Sequence, residues 1–157
     1  MSRIYLPTSP GCFGCGQDNH NGLKMEIFIE DGKSKVDLIT DERFRGYEDR
    51  LHGGIIFSVL DEVMAWAPTY AKKRMCVSAE ITIRFLHPIS IGIPVTVEGE
   101  FVNDRRLIWD TAGRILGQDG TVYARAKGKY LPISKDETIK IDDKMIYPAG
   151  MKSIFRE

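Results

Sequence analysis

The stretch 51–64 constrains this chain more than any other part of its sequence. It opens on His52 and two glycines, and continues as an apolar, helix-competent run that carries adjacent carboxylates, Asp61 and Glu62. The first amides of a helix lack intrahelical acceptors, and the helix dipole adds partial positive charge there. Because glycine has no Cβ, a ligand can approach these amides closely. The stretch therefore predicts a helix N-terminus that can hold an oxyanion, with an acid two turns further along.

The spacing of the apolar residues predicts a helix from about Gly53 to Ala67, where Pro68 blocks its continuation or forces a kink. A buried stripe at i, i+4, i+7 and i+11 consists of Ile56, Leu60, Val63 and Ala67. A second line is small and polar, and leaves room for a substrate or a partner chain: Gly54, Ser58, Asp61 and Ala65. Adjacent helix positions diverge by about 100°, so Asp61 and Glu62 cannot face one site together. We favour Asp61 as the catalytic carboxylate.

The composition is that of an ordinary globular protein, and 157 residues suit a single domain over 1–157. Lys plus Arg and Asp plus Glu balance at 22 each, so no global field favours nucleic acid or an anionic membrane. No apolar run approaches the roughly 20 residues that span a bilayer, and the amino terminus lacks the apolar core of a signal peptide. Three cysteines do not suggest a disulfide scaffold, so we expect a cytoplasmic protein.

Residues 1–22 are predicted to form an irregular amino-terminal segment, rich in Pro, Gly and Asn. Cys12 and Cys15 have the spacing of metal ligands, and His20 could be a third. A closed zinc site needs four ligands, and only Cys76 remains, inside a predicted strand. The sequence therefore favours a turn with buried thiols, and we predict no metal.

Alternating apolar and polar residues predict a half-buried strand over 23–29, with Phe28 as the exception on the polar face. The pair Asp31-Gly32 is a hairpin signal and leads to a second strand around Val36 and Leu38. A loop of charge and glycine then precedes the helix. The first part of the chain therefore predicts a hairpin that feeds into the glycine-opened helix.

Further strands follow the helix and are joined by short turns. Their alternating residues lie within 77–85, 95–101, 107–115 and 122–130. This order predicts a four-strand antiparallel meander. One helix cannot cover both faces of such a sheet, so its open edge or face is expected to meet a second subunit. The last segment, 133–157, is charged and looks like a surface tail with no assigned role.

The order of elements resembles the hotdog fold, an α+β architecture in which an antiparallel sheet wraps around one long central helix and two subunits pair their sheets. The specific resemblance is to acyl-CoA thioesterases of the phenylacetate-pathway type, and it extends from about Cys12 to Leu131. Three patterns carry it: the turn 12–16 followed by Gly22-Leu23, the stretch 51–64, and Val77-Ser78 with Pro88 further on.

The resemblance implies a role for three residues. In such enzymes the backbone N–H of the glycine after the histidine binds the thioester carbonyl oxygen, and here that glycine is Gly53. The helix carboxylate that acts on water or on the carbonyl carbon falls on Asp61. A Ser or Thr early in the next strand helps to place the water, and Ser78 matches it. Some relatives carry an asparagine six residues before the histidine, where this chain has Gly46.

Other residues are candidates for substrate contact. Those around the predicted oxyanion site are His52, Gly54, Phe57 and Glu62. A basic run at the mouth of a coenzyme A site would attract phosphates: Lys72, Lys73 and Arg74. Each also has a structural interpretation, His52 as a turn residue, Phe57 as core and Glu62 as an ion-pair partner.

The resemblance implies a homo-oligomer, a dimer or a tetramer with the active site at the subunit interface. It would hydrolyse a small or medium acyl-CoA to the free acid and CoA. No cofactor is implied, because coenzyme A is part of the substrate. Asp61 would act as a general base or as a nucleophile that forms a mixed anhydride. Two alternatives stay open: a non-catalytic acyl-CoA sensor, and a hotdog dehydratase or hydratase. The second needs a histidine and a carboxylate on opposite sides of the substrate, and the histidines other than His52, namely His20 and His87, do not lie in the loop that leads to the helix.

Overall fold

The computed structural model describes residues 2–156, so Met1 and Glu157, the ends of the predicted domain, lie outside it. Neither α-helix in that range has the length and apolar character that crossing a membrane requires. The described chain forms β1 (Ile4–Tyr5), β2 (Phe28–Glu30), β3 (Lys33–Ile39), a 3-10 turn (Glu42–Phe44), α1 (Gly53–Lys72), β4 (Cys76–Phe85), β5 (Pro94–Asp104), β6 (Trp109–Gly117), β7 (Val122–Pro132) and α2 (Lys135–Asp142).

The strands form one antiparallel sheet in the order β1-β2-β3-β5-β6-β7-β4. Helix α1 packs against β3, β4, β5, β6 and β7. The predicted α+β architecture, an antiparallel sheet around one long helix, is confirmed. The predicted meander is correct for β5, β6 and β7 but wrong for β4. Because β5 is already paired on both sides, by β3 and β6, β4 joins the free edge of β7 instead.

Helix α1 begins at Gly53 as predicted but continues through Pro68 to Lys72, so the predicted end at Ala67 is wrong. A proline inside a helix costs about 3 kcal/mol, and burial of Pro68 and Thr69 offsets that cost. The helix ends where Lys73 adopts a left-handed φ of 52° and its N–H donates to the carbonyl oxygen of Thr69. Tertiary packing therefore overrides the local signal for a break.

The predicted buried stripe of α1 is confirmed. Its members are at most 5% exposed: Ile56, Leu60, Val63 and Ala67. Glycines on neighbouring strands let the helix approach the sheet, because a Cβ on Gly99 would lie 2.7 Å from the carbonyl oxygen of Val63. A Cβ on Gly113 would lie 2.7 Å from the Met64 side chain, and one on Gly128 would lie 2.8 Å from it. The glycines of β5, β6 and β7 therefore let the middle of α1 pack closely on the sheet.

The strand predicted over 23–29 is wrong in its extent, because its first half hydrogen-bonds to the amino-terminal segment and β2 begins only at Phe28. Phe28 is buried because the Tyr5 ring packs on it, with centroids 5.6 Å apart, and the Arg3 guanidinium lies 4.1 Å from its centroid. The hairpin at Asp31-Gly32 is confirmed, since both residues adopt the positive φ, 53° and 74°, that a two-residue turn favours.

Residues 133–156 form more than a surface tail, because they contain α2 and a buried carboxylate at its end. Asp142 is 5% exposed. It accepts hydrogen bonds from Ser153 Oγ at 2.7 Å and Arg156 Nε at 2.8 Å, and also from the Tyr147 hydroxyl. The charged composition of this segment suggested a solvated tail, but one of its charges, the Asp142 carboxylate, is buried and ties residues 142–156 together by hydrogen bonds.

Candidate active site

The site begins at the amino end of α1, where His52 is the N-cap. His52 Nδ1 accepts a hydrogen bond from the Gly54 N–H at 2.9 Å. The His52 carbonyl oxygen accepts from the N–H groups of Ile55 and Ile56 at 2.9 and 3.1 Å. Among residues 2–156 the Gly53 N–H has no acceptor. His52 therefore occupies the neighbouring donors and leaves the Gly53 amide to bind an external oxygen.

A cleft of about 420 Å³ lies beside this amide. Gly53 and Phe85 both line the cleft, and the Phe85 ring would be 3.7 Å from a Cβ placed on Gly53. Arg50 and His87 contribute polar side chains to the same walls. Clefts with apolar walls and a few convergent polar groups are the usual form of small-molecule sites. An acyl thioester could direct its carbonyl oxygen at the helix N-terminus here.

Asp61 lies in the middle of α1 and is half-buried. The Tyr130 hydroxyl lies 3.0 Å from Asp61 Oδ1 and 3.1 Å from the Asp61 carbonyl oxygen, and it donates to them. Burial raises the pKa of the Asp61 carboxyl, and the hydroxyls of Tyr130 and Ser78 oppose this by stabilising the anion. Ser78 pairs with Tyr130 in the register of β4 and β7, so the sheet brings both hydroxyls to the carboxylate.

The Gly53 amide and the Asp61 carboxylate do not share one site within a single chain. Eight helical steps separate them, which is about 12 Å along the axis. A base and an oxyanion donor must both lie within about 3 Å of the reacting groups. The structure brings Asp61 and Ser78 together and places Gly53 apart from them.

Glu62 points away from Asp61, as expected for adjacent helix positions. A Cβ on Gly14 would lie 2.8 Å from the Glu62 carboxyl carbon, and the Glu62 carboxylate and the thiols of Cys12 and Cys15 lie within 4.8 Å of one another. Burial raises the pKa of the Glu62 carboxyl to about 7, with a contribution from Cys12. A hydrogen bond from the Cys15 thiol lowers the pKa of the Cys12 thiol to about 5. Substrate contact by Glu62 stays a prediction.

The other predicted substrate contacts are divided between the two ends of α1. Phe57 is 42% exposed on the same helix as Gly53, so it is not core in the described chain. Lys72 lies about 28 Å along the helix from Gly53 and forms an ion pair with Asp104 at 2.6 Å. Lys73 Nζ lies over the Tyr70 ring at 4.0 Å, and Arg74 donates to the Ile133 carbonyl oxygen. The basic run is therefore separate from the oxyanion end of its own helix.

Sequence reasoning missed Tyr130 and His87 as site residues. Tyr130 follows a run of small residues on the inward side of β7, namely Ala124, Ala126 and Gly128. A large polar ring after such a run is a signal that its hydroxyl needs a buried partner. His87 gave no local signal, because only the turn after β4 brings it to the cleft.

Comparisons with known proteins decide the family. A model described as the thioesterase superfamily matches residues 49–124, which include Gly53, Asp61 and Ser78. A Saccharolobus solfataricus protein named "Putative esterase" is 30% identical over 105 residues, which are 66% of this chain and 74% of that relative. This chain belongs to the thioesterase superfamily. A second Saccharolobus solfataricus protein named "Putative esterase" is 34% identical over 92 residues. The match covers 57% of this thioesterase superfamily member and 60% of that relative, so the chain spans less than two thirds of the relative's length.

Solved structures show the same fold. A thioesterase superfamily protein superposes with a TM-score of 0.72 at 21% identity, covering 77% of this chain and 60% of the other. The PaaI protein of E. coli, from the phenylacetic acid degradation operon, gives 0.66 at 23% identity over 71% and 81% of the two chains. A hypothetical thioesterase of Streptococcus pneumoniae with coenzyme A gives 0.65 at 21% identity over 70% and 86%. These likenesses confirm the hotdog fold of this superfamily member.

Proposed function

We propose that this chain is an acyl-CoA thioesterase that hydrolyses a small or medium acyl thioester to the free acid and CoA. The observation that carries the proposal is the pair of Gly53 and Asp61. Gly53 offers, beside a cleft, an amide at a helix N-terminus that no acceptor within the described range 2–156 occupies. Asp61 offers a half-buried carboxylate whose pKa is raised by burial, and two hydroxyls orient it.

In the proposed reaction, Asp61 takes a proton from a water molecule that Ser78 helps to hold. The water oxygen attacks the thioester carbonyl carbon, and the Gly53 N–H stabilises the resulting oxyanion. One such donor is commonly worth about 3–4 kcal/mol in acyl transfer. The intermediate collapses by breaking the C–S bond, and the CoA thiolate leaves and takes up a proton. In the alternative sequence, Asp61 itself attacks, expels the thiolate and forms a mixed anhydride that water then hydrolyses.

We propose that each site forms between two copies of the chain. The distance of about 12 Å between Gly53 and Asp61 along one helix excludes their joint action on one carbonyl. In a two-fold dimer each copy can supply one of the two groups to each site. Strand β4 lies at the edge of the sheet and exposes Val77 by 52% and Phe85 by 56%. Long apolar edge strands are normally covered, so we propose that β4 and the part of α1 that carries Asp61 pair with a second copy, as a dimer or within a tetramer.

Recognition of coenzyme A is supported by a positively charged depression at the carboxyl end of α1. Lys72, Arg74, Arg106 and Lys135 line it together with Asp104. Lysine and arginine are the usual partners of phosphate groups. The Streptococcus pneumoniae protein of the same fold was solved with coenzyme A. Because this depression is separate from the cleft at Gly53 of the same chain, we propose that the nucleotide phosphates bind the depression of one copy while the acyl group enters the cleft of the other. A cytoplasmic location stays a prediction.

Gly46 favours a second candidate function, acyl-CoA binding without turnover. It lines the cleft and, as a glycine, adds no polar side chain to place a thioester or a water molecule. A sensor would use the same cleft and the same amide for binding. A dehydratase is supported only by His87, which lines the cleft next to Gly53, while Asp61 lies about 12 Å away along the helix.

The test is hydrolysis of an acyl-CoA panel, followed by detection of the free thiol, with wild type and Asp61→Asn. We expect turnover by wild type and a loss of at least about 100-fold in kcat for the variant. The matched control is Asp136→Asn, an exposed aspartate on α2, which should keep wild-type turnover. Undiminished turnover by Asp61→Asn would remove Asp61 from the mechanism. Tight binding without turnover in both proteins would establish the sensor.

A further inference from the structure

Three potential metal ligands meet where the amino-terminal segment crosses α1. The thiol sulfurs of Cys12 and Cys15 and a carboxylate oxygen of Glu62 all lie within 4.8 Å of one another. Cys15 is buried, and Cys12 and Glu62 are partly buried. A tetrahedral zinc ion with Zn–S bonds of about 2.3 Å places its sulfur ligands about 3.8 Å apart. The cluster is therefore close to ligand spacing without any rearrangement of the backbone.

The backbone of the turn is arranged around the two sulfurs. The Cys15 N–H donates to Cys12 Sγ at 3.4 Å, and the Ser9 N–H donates to Cys15 Sγ at 3.3 Å. The Gly16 N–H closes the turn by donating to the Cys12 carbonyl oxygen at 2.9 Å. Hydrogen bonds from amides to sulfur stabilise the thiolate, which is the form that binds metals. The turn thus presents both sulfurs in the same direction, toward α1.

Glu62 adds negative charge to this cluster and has no cation of the protein beside it. Among residues 2–156, none of the ion pairs includes Glu62. Its carboxyl group packs directly on Gly14, one of the two residues between the cysteines, where a Cβ would lie 2.8 Å from the Glu62 carboxyl carbon. Buried carboxylates are normally paired or coordinate a metal. A bound cation would supply the positive charge that no Lys, Arg or His among residues 2–156 brings to Glu62.

We propose that Cys12, Cys15 and Glu62 bind one Zn²⁺ ion per chain. Two thiolates favour zinc over the hard cations Mg²⁺ and Ca²⁺, and the carboxylate is a common third ligand of zinc. A water molecule completes the tetrahedron, and binding at neutral pH releases the proton that the Cys15 thiol still carries. His20, the third ligand that the sequence suggested, lies outside the cluster. The ion would join the amino-terminal turn to α1 one residue from Asp61, on the side of the helix that faces away from the proposed base.

The test uses the full chain, reduced, stripped of metal with a chelator and titrated with Zn²⁺ against a chromophoric competitor. We expect one zinc ion per wild-type chain and a zinc-dependent rise in the melting temperature. Cys12→Ser, Cys15→Ser and Glu62→Gln should each weaken binding by more than about 100-fold, the upper range for loss of even an outer-shell partner. The controls are Cys76→Ser and Glu26→Gln, a thiol and a carboxylate outside the cluster, and both should bind as wild type.

Cobalt provides a second measurement that does not depend on the folding of any variant. Wild-type protein loaded with Co²⁺ should show thiolate-to-cobalt charge transfer and the intense visible bands of tetrahedral cobalt. Absence of these bands, less than one zinc per chain at saturation, or unchanged affinity in Glu62→Gln would overturn the three-ligand site. None of these readouts uses thioester hydrolysis, so the zinc site and the proposed enzyme stand or fall separately.

Discussion

The hydroxyl of Tyr130 joins the last strand of the sheet to Asp61 in the middle of α1, with Tyr130 Oη 3.0 Å from Asp61 Oδ1. Tyr130 is 0% exposed, so its hydroxyl cannot turn toward solvent for an alternative partner. Ser78 lies beside it in the β4–β7 register. In the proposed mechanism Tyr130 is therefore a positioning residue, because it holds the carboxylate that takes the proton.

Tyr130→Phe tests this positioning role. The variant keeps the buried ring and removes only the hydroxyl, so the free energy of unfolding should fall by about 1 kcal/mol. We expect kcat to fall at least about tenfold, because small misplacements of a catalytic group are costly, while KM stays near the wild-type value. Steady-state hydrolysis of the best substrate measures both constants. A change in KM alone would show that Tyr130 serves binding and not the orientation of Asp61.

Gly53→Ala tests the oxyanion donor. A Cβ at this position would meet only the Phe85 ring, at the ordinary contact distance of 3.7 Å, so the melting temperature should stay the same or rise slightly. The added methyl group stands beside the amide that the thioester oxygen must approach. A displacement of about 1 Å can cost about 100-fold, and we expect a loss of this size in kcat/KM. Full activity in the variant would exclude the Gly53 amide as the donor.

Much of α1 could be predicted from the sequence because its signals are local. Two glycines after His52 mark the N-terminus, and the helical period marks the buried stripe. The end of the helix could not be predicted, since Pro68 is a local break signal that only burial against the sheet overrides. The place of β4 beside β7 was missed for a related reason. Strand order depends on which edges are already paired, and no local pattern records that.

The site shows the same division between local and distant signals. Asp61 and Gly53 could be chosen as candidates because they share one stretch of sequence, and their catalytic roles stay predictions. The approach of Glu62 to Cys12 and Cys15 could not, because almost fifty residues separate Glu62 from the two cysteines and only the packing of the amino-terminal segment on α1 brings them together. The partners of Asp142 were missed although they are near in sequence, since its burial gives no periodic pattern.

We expect the loss of stability caused by Asp142→Asn to depend on pH. Burial alone would raise the pKa of Asp142, but hydrogen bonds from Arg156, Tyr147 and Ser153 outweigh it and lower the pKa. Because the pKa of Asp142 is lower in the folded state than in the unfolded state, its ionised form stabilises the folded protein at pH values above the unfolded-state pKa. This stabilisation is lost as the pH falls from the unfolded-state pKa through the folded-state pKa. At neutral pH the variant should be less stable by about 2 kcal/mol.

Urea unfolding of wild type and variant over a pH series measures this difference. The gap in free energy of unfolding should narrow as the pH falls through the usual range for an aspartate. The exposed Asp136→Asn change should have little effect at any pH. A gap that is the same at every pH would show that packing at Asp142, and not its charge, accounts for the loss.

Mixed oligomers test whether each site is shared between two copies of the chain. Asp61→Asn and Gly53→Ala are co-expressed with different tags, and the mixed dimer is isolated by two successive affinity steps. Suppose that Gly53 of one copy acts with Asp61 of the other. One of the two sites in the mixed dimer then contains both intact residues, and the other site contains both substitutions. The mixed dimer should then recover about half of the wild-type activity. If both groups acted within one chain, every site would carry one defect. Activity no higher than that of the two parent variants would therefore contradict a shared site.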